Sequence, residues 1–432
     1  MQSLYTHVSH VPPYGLKQVQ LANVQGKHVL ITGGARGLGL ADALLLARLG
    51  AHVTIADRDT QAATVAAQTV RQEIAGAEVT AVELDLGSMA SVHRFCDKWN
   101  AQGPKKLHAL VNNAGANFMG IPPWWTEQGV AGLPQVNFLG PYTLTRCLAP
   151  SLTAAAAEDG DARIVNVASV MHRWSSLPHD PQKFLSDWSG NDSGGSYRNC
   201  KHAGVVFMLM LDQLIRQAQQ DMQGTASSCA AGSNEVLRGP LLRCSRTRDN
   251  SSGSNNIHSN SMQHASKDPV SQAGRMAPRL RALSADPGFV HSGLWSTSKV
   301  LGNPPGSIVM QMLAAPTSDA CATTVHAVTA ADACSGSYWA RGLFASKLIT
   351  EAPLEILTAP FCLLDWPLRQ ATRGDQASHI AATQIGSEAL AAARDGRGEA
   401  LWNAAADLAG LPSWTRSIED FHVPSKEARV HK

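Results

Sequence analysis

A glycine cluster wedged between an apolar run and a helical repeat constrains this chain more than any other feature. His28–Thr32 (HVLIT) is a short apolar run. Thr32-Gly33-Gly34-Ala35-Arg36-Gly37-Leu38-Gly39 follows it, and Leu38–Leu49 then repeats apolar residues at helical spacing. A strand that turns through glycines into a helix is the context a dinucleotide-binding loop needs. Gly33 permits the tight turn, while Gly37 and Gly39 let backbone approach a pyrophosphate and helix pack on strand. The helix N-terminus, with Arg36 and Leu38 beside it, then faces negative charge.

The same alternation continues. Strands are expected at His52–Ala56, Val79–Leu84, His108–Val111, Arg163–Ala168, Leu280–Ala285 and Ser337–Trp339. Between and after them, helices are expected to end near Ile74 and to span Ser88–Trp99, Asn137–Leu152, Ser196–Gln217, Ala322–Ala330 and Ser387–Leu411. The strand segments are apolar throughout, as a sheet buried on both faces requires. The expected fold class is therefore α/β, a doubly wound parallel sheet with helices on both faces. Gln219–Ala277 breaks the pattern: between Asp249 and Ser266 the apolar residues are Ile257, Met262 and Ala265. Too little burial is available there to offset ordering entropy, so a disordered polar insertion is expected over 219–277. An apolar insertion spans about 343–375; within it, Pro353–Pro367 could lie against a membrane or cover a pocket. The expected organisation is an extension over 1–24, one domain over 25–412 and a tail over 413–432.

Chemistry-bearing residues fall at the ends of the expected strands, where parallel sheets form their ligand crevice. Asp57 ends the second strand and can bind both ribose hydroxyls of an adenosine, which favours NAD over NADP. Arg36 and Arg58 could instead hold a 2′-phosphate. Asp85, followed by Leu86, ends the third strand and is placed to contact adenine or to cap the next helix. Asn112-Asn113-Ala114-Gly115 ends the fourth, where small residues let backbone run close to a cofactor. Tyr197 and Lys201 stand four apart, on one helix face. An ammonium beside a phenol favours the phenolate and lowers its pKa, so Tyr197 can act as acid or base on a carbonyl or carbinol oxygen. Ser169, ending the fifth strand, can bond the same oxygen. Asn137 could hold a water linking Lys201 to solvent, or merely cap its helix.

Together these motifs resemble the short-chain dehydrogenase/reductase superfamily, and most closely its retinol dehydrogenase-like branch. The resemblance rests on the glycine motif, Asn113-Ala114-Gly115, Asn137, Ser169, Tyr197-x-x-x-Lys201 and Asp286-Pro287-Gly288-Phe289-Val290-His291-Ser292, in that order over about 24–345. Gln135–Thr145, Arg163–Ser169 and Ala400–Pro412 are similar to that branch's segments. It implies a single Rossmann-type domain and a catalytic tetrad at Asn137, Ser169, Tyr197 and Lys201. It also implies that Pro287, Gly288 and Ser292 border the nicotinamide. The implied activity is NAD(P)-dependent interconversion of an alcohol and a carbonyl. Asp57 departs from the branch, which usually has a small residue there, and this puts NADP use in doubt.

Trp124, Trp125, Trp174 and Trp188 flank these motifs and point to an apolar substrate of the retinoid, steroid or long-chain aldehyde type, unless they are core or lid packing. The alternatives are an NADP-dependent reductase of a tetrapyrrole or quinone, and a non-catalytic cofactor-sensing scaffold; an intact tetrad argues against the scaffold. A net charge of +2 argues against a nucleic-acid partner. The eight cysteines are scattered without a C-x-x-C pair, so no metal site is expected. No stretch reaches about 18 apolar residues, so no transmembrane segment is expected, although peripheral membrane contact stays open. With no export signal, the expected location is cytoplasmic, with organellar targeting left open. A homo-oligomer is compatible with this reading.

Overall fold

Along β1 (His28–Thr32), Leu30 packs into one apolar cluster while Val29 and Ile31 pack into another, and all three are buried. The same alternation holds in β4 (Ala109–Asn112), where Leu110 opposes Ala109 and Val111, and in β5 (Asp161–Val167), where Ile164 opposes Val165. Apolar side chains on both faces of every central strand require a sheet covered twice. The computed structural model describes residues 24–117, 122–188, 195–228, 279–288, 290, 315–331, 333–341, 380–383 and 385–421.

β2 (His52–Asp57), β3 (Val79–Glu83), β6 (Arg279–Asp286), β7 (Tyr338–Arg341) and β8 (Ile380–Thr383) complete one sheet, in the order β3-β2-β1-β4-β5-β6-β7-β8. Seven strands are parallel, and β8 runs antiparallel to β7 at the edge. The doubly wound sheet matches the expected fold class. The antiparallel edge strand was not expected. Its sequence, IAAT, is short and small-residued and offers little local signal.

One face of the sheet is covered by α1 (Gly37–Arg48), α2 (Thr60–Glu73) and α9 (Thr317–Thr329), through Leu44, Leu46, Val70 and Val325. The other is covered by α3 (Met89–Gln102), α5 (Gly140–Cys147), α6 (Ala149–Asp159) and α8 (Gly195–Ser228), through Phe95, Leu144, Leu152 and Phe207. The single helix expected over Asn137–Leu152 is divided. α4 (Gly132–Pro134) passes through a π-helical turn at Gln135–Leu139 into α5, and α6 restarts with Pro150 in its first turn. Proline lacks an N–H and suits a first turn, which accounts for the restart. A short α7 (Pro181–Leu185) lies between Ser169 and α8. α8 runs to Ser228, past the expected end at Gln217, so the polar insertion expected from 219 begins as helix; 229–278 lie outside the described residues. The apolar segment 353–367 also lies outside them.

The helix expected over Ser387–Leu411 is two, α10 (Ser387–Ala392) and α11 (Arg397–Ala409), separated at Gly396 with φ 90°. The residues from 413, expected as a tail, start as a 3-10 helix, Trp414–Phe421, that joins the core: Phe421 and Ser417 are fully buried. α11 and this turn lie across α5, α6 and α8. Arg146 on α5 is the peg. Its guanidinium donates to Asp420 (2.9 Å) and the Pro412 carbonyl (2.9 Å) and stacks 5.2 Å over the Trp402 ring. No described helix is long and apolar enough to cross a membrane.

Candidate functional site

The crevice forms beyond the C-terminal ends of β1 and β4, where the strand order reverses. Thr32, the last residue of β1, ties its two halves together. The Thr32 hydroxyl accepts the backbone N–H of Asn113 (3.1 Å) and of Ala114 (3.0 Å), and the Asn113 amide donates back to the Thr32 carbonyl (2.8 Å). Gly33 turns between them at φ 65°, and a Cβ there would lie 2.9 Å from the Ala114 Cα. Gly39 packs α1 onto the turn so closely that a Cβ would sit 2.5 Å from both the Gly33 oxygen and the Asn113 amide. Gly37 has open space around it, and the N-cap residue Arg36 makes no side-chain cap bond to α1. An uncapped helix start facing a glycine-walled opening fits a pyrophosphate. Arg36 is exposed beside it, and Leu38 is partly buried against the core.

Asp57 is buried at the end of β2. One carboxylate oxygen accepts the Ala35 N–H and the other the Asp59 N–H, both at 3.2 Å, so this side chain braces the glycine loop. Arg58 is exposed. Asp85 accepts the Gly87 N–H (2.9 Å) in a local turn, and the cap of α3 is Ser88 rather than Asp85. The Leu86 side chain lies in the core, while its carbonyl accepts from Gln135 (2.9 Å).

Asn137 sits in the π-helical turn, an irregularity that re-aims side chains. Its oxygen accepts the Ala116 N–H (2.9 Å), and its amide donates to the Ala116 and Leu133 carbonyls (3.0 Å each). It therefore clamps the loop after β4 instead of capping a helix. Gly115 lies inside that clamp: a Cβ there would stand 3.0 Å from the Asn137 oxygen and 3.7 Å from the Lys201 ammonium nitrogen.

Tyr197 and Lys201 lie on one face of α8, with the lysine Nζ 5.6 Å from the centre of the tyrosine ring. Lys201 donates to the Val167 carbonyl at the end of β5 (2.7 Å). Both side chains are buried. Burial pushes the Tyr197 phenol above its ordinary pKa, helped by the negative charge of Asp286. Burial also brings Lys201 down to about 8. The expected lowering of the Tyr197 pKa is thus not what the site produces, because desolvation outweighs the ammonium. Ser169 follows β5; its hydroxyl accepts the Met171 N–H (3.3 Å) and opens a 3-10 turn, Val170–Trp174. His172 in that turn donates from Nδ1 to the Ser169 carbonyl (2.7 Å) and accepts the Gly386 N–H at Nε2 (3.1 Å). The two partners fix its tautomer, and burial lowers its pKa to about 3, so it stays neutral.

Pro287 and Gly288 follow β6, and Ser292 lies outside the described residues. Asp286 opens that motif. It is buried, and it accepts the Gly288 N–H and the Tyr338 hydroxyl, each at 2.9 Å. Trp124, Trp125 and Trp188 converge, with ring centres 6.5 and 6.1 Å apart, and Trp125 is half exposed. Trp174 ends the Ser169 turn instead.

A glycine-walled crevice at the reversal of a doubly wound sheet, flanked by a buried tyrosine–lysine pair, defines a Rossmann-type dinucleotide-binding domain. Residues 27–176 match the family model for short chain dehydrogenase. The chain is 36% identical over 196 residues to Dehydrogenase/reductase SDR family member FEY of Arabidopsis thaliana, covering 44% of this chain and 50% of that one. It is 35% identical over 224 residues to Retinol dehydrogenase 12 of Homo sapiens, covering 51% of this chain and 65% of that one. The chain thus spans about half to two thirds of the length of these relatives. A crystal structure of a putative uncharacterized protein from Mycobacterium paratuberculosis shares the fold, with a TM-score of 0.51 and 21% identity over 91% of this chain and 96% of that one. Over residues 27–176 the chain is thus similar to the short-chain dehydrogenases.

Proposed function

We propose that this protein is an NAD(P)-dependent oxidoreductase that interconverts an alcohol and a carbonyl on an apolar substrate, with Asn137, Ser169, Tyr197 and Lys201 as its catalytic set. The observation that carries this reading is the Tyr197–Lys201 pair, buried on one face of α8. A nicotinamide dinucleotide, when bound, accepts or supplies the hydride. Gly33, Arg36, Gly37, Leu38 and Gly39 would hold its phosphates, Asp57 its ribose, and Asp85 and Leu86 its adenine. Asn113, Ala114, Gly115, Pro287, Gly288 and Ser292 would line its nicotinamide half.

The chain's residues then divide the proton chemistry. Tyr197 gives its hydroxyl proton to a carbonyl oxygen, or removes one from a carbinol, as general acid or base. Its raised pKa keeps it protonated at neutral pH, the form needed to donate. The Ser169 hydroxyl accepts from Met171, which leaves its own hydrogen to bond the oxygen on which charge develops. One N–H of Lys201 is engaged by Val167, leaving two to hold a ribose and support the phenol. Asn137 fixes the backbone of 115–116 at the wall of the site. The tryptophan wall supports an apolar substrate, since a half-exposed indole gains by being covered.

Tyr197→Phe tests the reading. Turnover across a panel of alcohols and aldehydes should fall to background while nucleotide affinity, read by fluorescence titration, stays within about twofold. Retained turnover would overturn it. Titrating NAD(H) and NADP(H) into wild type and Asp57→Ala tests the cofactor: wild type should prefer NAD(H), and preference for NADP(H) would show that Asp57 has been misread.

A further inference from the structure

Beneath the site, Asp286 is held in a way the reaction chemistry above does not use. It ends β6, a central strand, and is 1% exposed. Three donors converge on it: the Gly288 N–H and the Tyr338 hydroxyl, each at 2.9 Å, and the Val170 N–H. Burial raises its pKa, and the three donors, which favour the ionised form, oppose that rise. A buried anion is costly unless a cation faces it.

The groups around it come from every neighbouring element. α8 presents Tyr197, Cys200 and Lys201, β7 presents Tyr338, and the turn after Ser169 presents Arg173. Tyr338 is itself packed against the ring of neutral His172, centre to centre 4.8 Å. Two of these groups are cations. Lys201 is pinned to the Val167 carbonyl on β5, and Val167 is the register partner of Ala285, the residue before Asp286. The strand pairing thus brings the ammonium and the carboxylate to the same end of the sheet. Cys200, the other acidic group next to Lys201, is kept a thiol by its own burial. Asp286 is therefore the carboxyl that faces Lys201.

We propose that Asp286 is the buried counter-ion of Lys201, a positioning residue that keeps the lysine charged beneath Tyr197 and so sets the alkaline limit of the reaction. The link to the reaction rests on the catalytic reading of Tyr197 and Lys201; the charge pairing does not. Tyr338 orients the carboxylate by donating to one oxygen, leaving the other to Gly288. The sign follows from charge: removing the carboxylate makes the lysine easier to deprotonate, so its titration moves to lower pH.

The test is an NMR titration of the full chain carrying [ε-13C]lysine, with the Lys201 signal identified by its loss in Lys201→Arg. In Asp286→Asn, which keeps the shape and removes the charge, Lys201 should titrate about one pH unit lower than in wild type. An unmoved titration, or one that moves upward, would overturn the proposal. If Asp286→Asn does not fold, judged by its circular dichroism melt, Tyr338→Phe decides the matter. That variant weakens the hold on the carboxylate and should shift Lys201 in the same direction by less; no shift overturns the pairing. In active protein, the alkaline limb of kcat/KM should move down with the NMR value. A wild type that turns over no substrate of the panel would sink the catalytic reading, while the titration still decides the counter-ion.

Discussion

Asp42 is a carboxyl that the fold buries completely inside α1, and neither of its oxygens has a hydrogen-bond partner among the described residues. Burial raises its pKa well above the ordinary carboxylate value. A folded-state pKa above the unfolded one means stability is fully present below the unfolded pKa, near 4, and is lost as pH rises toward the folded value. Asp42→Leu removes that loss. It should stabilise the protein at pH 7 by about 1–3 kcal/mol and by almost nothing near pH 4, checked by urea denaturation at both pH values. At Gly39 the cost runs the other way. A methyl group there meets the Gly33 oxygen and the Asn113 amide at 2.5 Å, so Gly39→Ala should weaken nucleotide binding at least about tenfold, read by fluorescence titration. Residues of this second kind are legible in sequence, because a glycine cluster between a strand and a helix announces its own geometry. Asp286 is not. Its meaning depends on Tyr338, 52 positions away, and on a strand pairing that no local pattern encodes.

Elements were legible where periodicity was strong and failed where one residue interrupts it. The helix expected from Asn137 contains a π-helical turn because the Asn137 side chain is bonded to the loop after β4 on one side and to Leu133 on the other. Apolar spacing runs through that turn unchanged, so the pattern could not show it. Asn137→Ala frees the backbone groups of Ala116 and should lower kcat more than it raises KM for nucleotide, with a stability cost of about 1–3 kcal/mol, checked by steady-state kinetics beside a thermal melt. The β5–α8 connection shows the same dependence on distant partners. His172 fixes it by joining the Ser169 carbonyl to Gly386, more than 200 residues further along.

For the molecule as a whole, the turn Trp414–Phe421 acts as a clasp. Arg146 is fully buried, and its charge is answered by Asp420. Asp420→Ala leaves a guanidinium in the core without its anion and should cost about 3–5 kcal/mol, read as a lower Tm in calorimetry. The clasp packs against α6, α8 and α11.

The antiparallel edge also brings two distant points of the chain together. Arg341 and Ile380 are register partners, one closing β7 and the other opening β8. Directly opposed residues in such a pair lie only about 5 Å apart, a gap that a two-residue hairpin spans. The two ends of the intervening sequence therefore meet at a single point of the sheet. A chain in which Asn-Gly joins Arg341 to Ile380 should keep its melting temperature to within a few degrees. Comparing its substrate range with that of the full chain would then isolate what the apolar segment contributes from what the sheet provides.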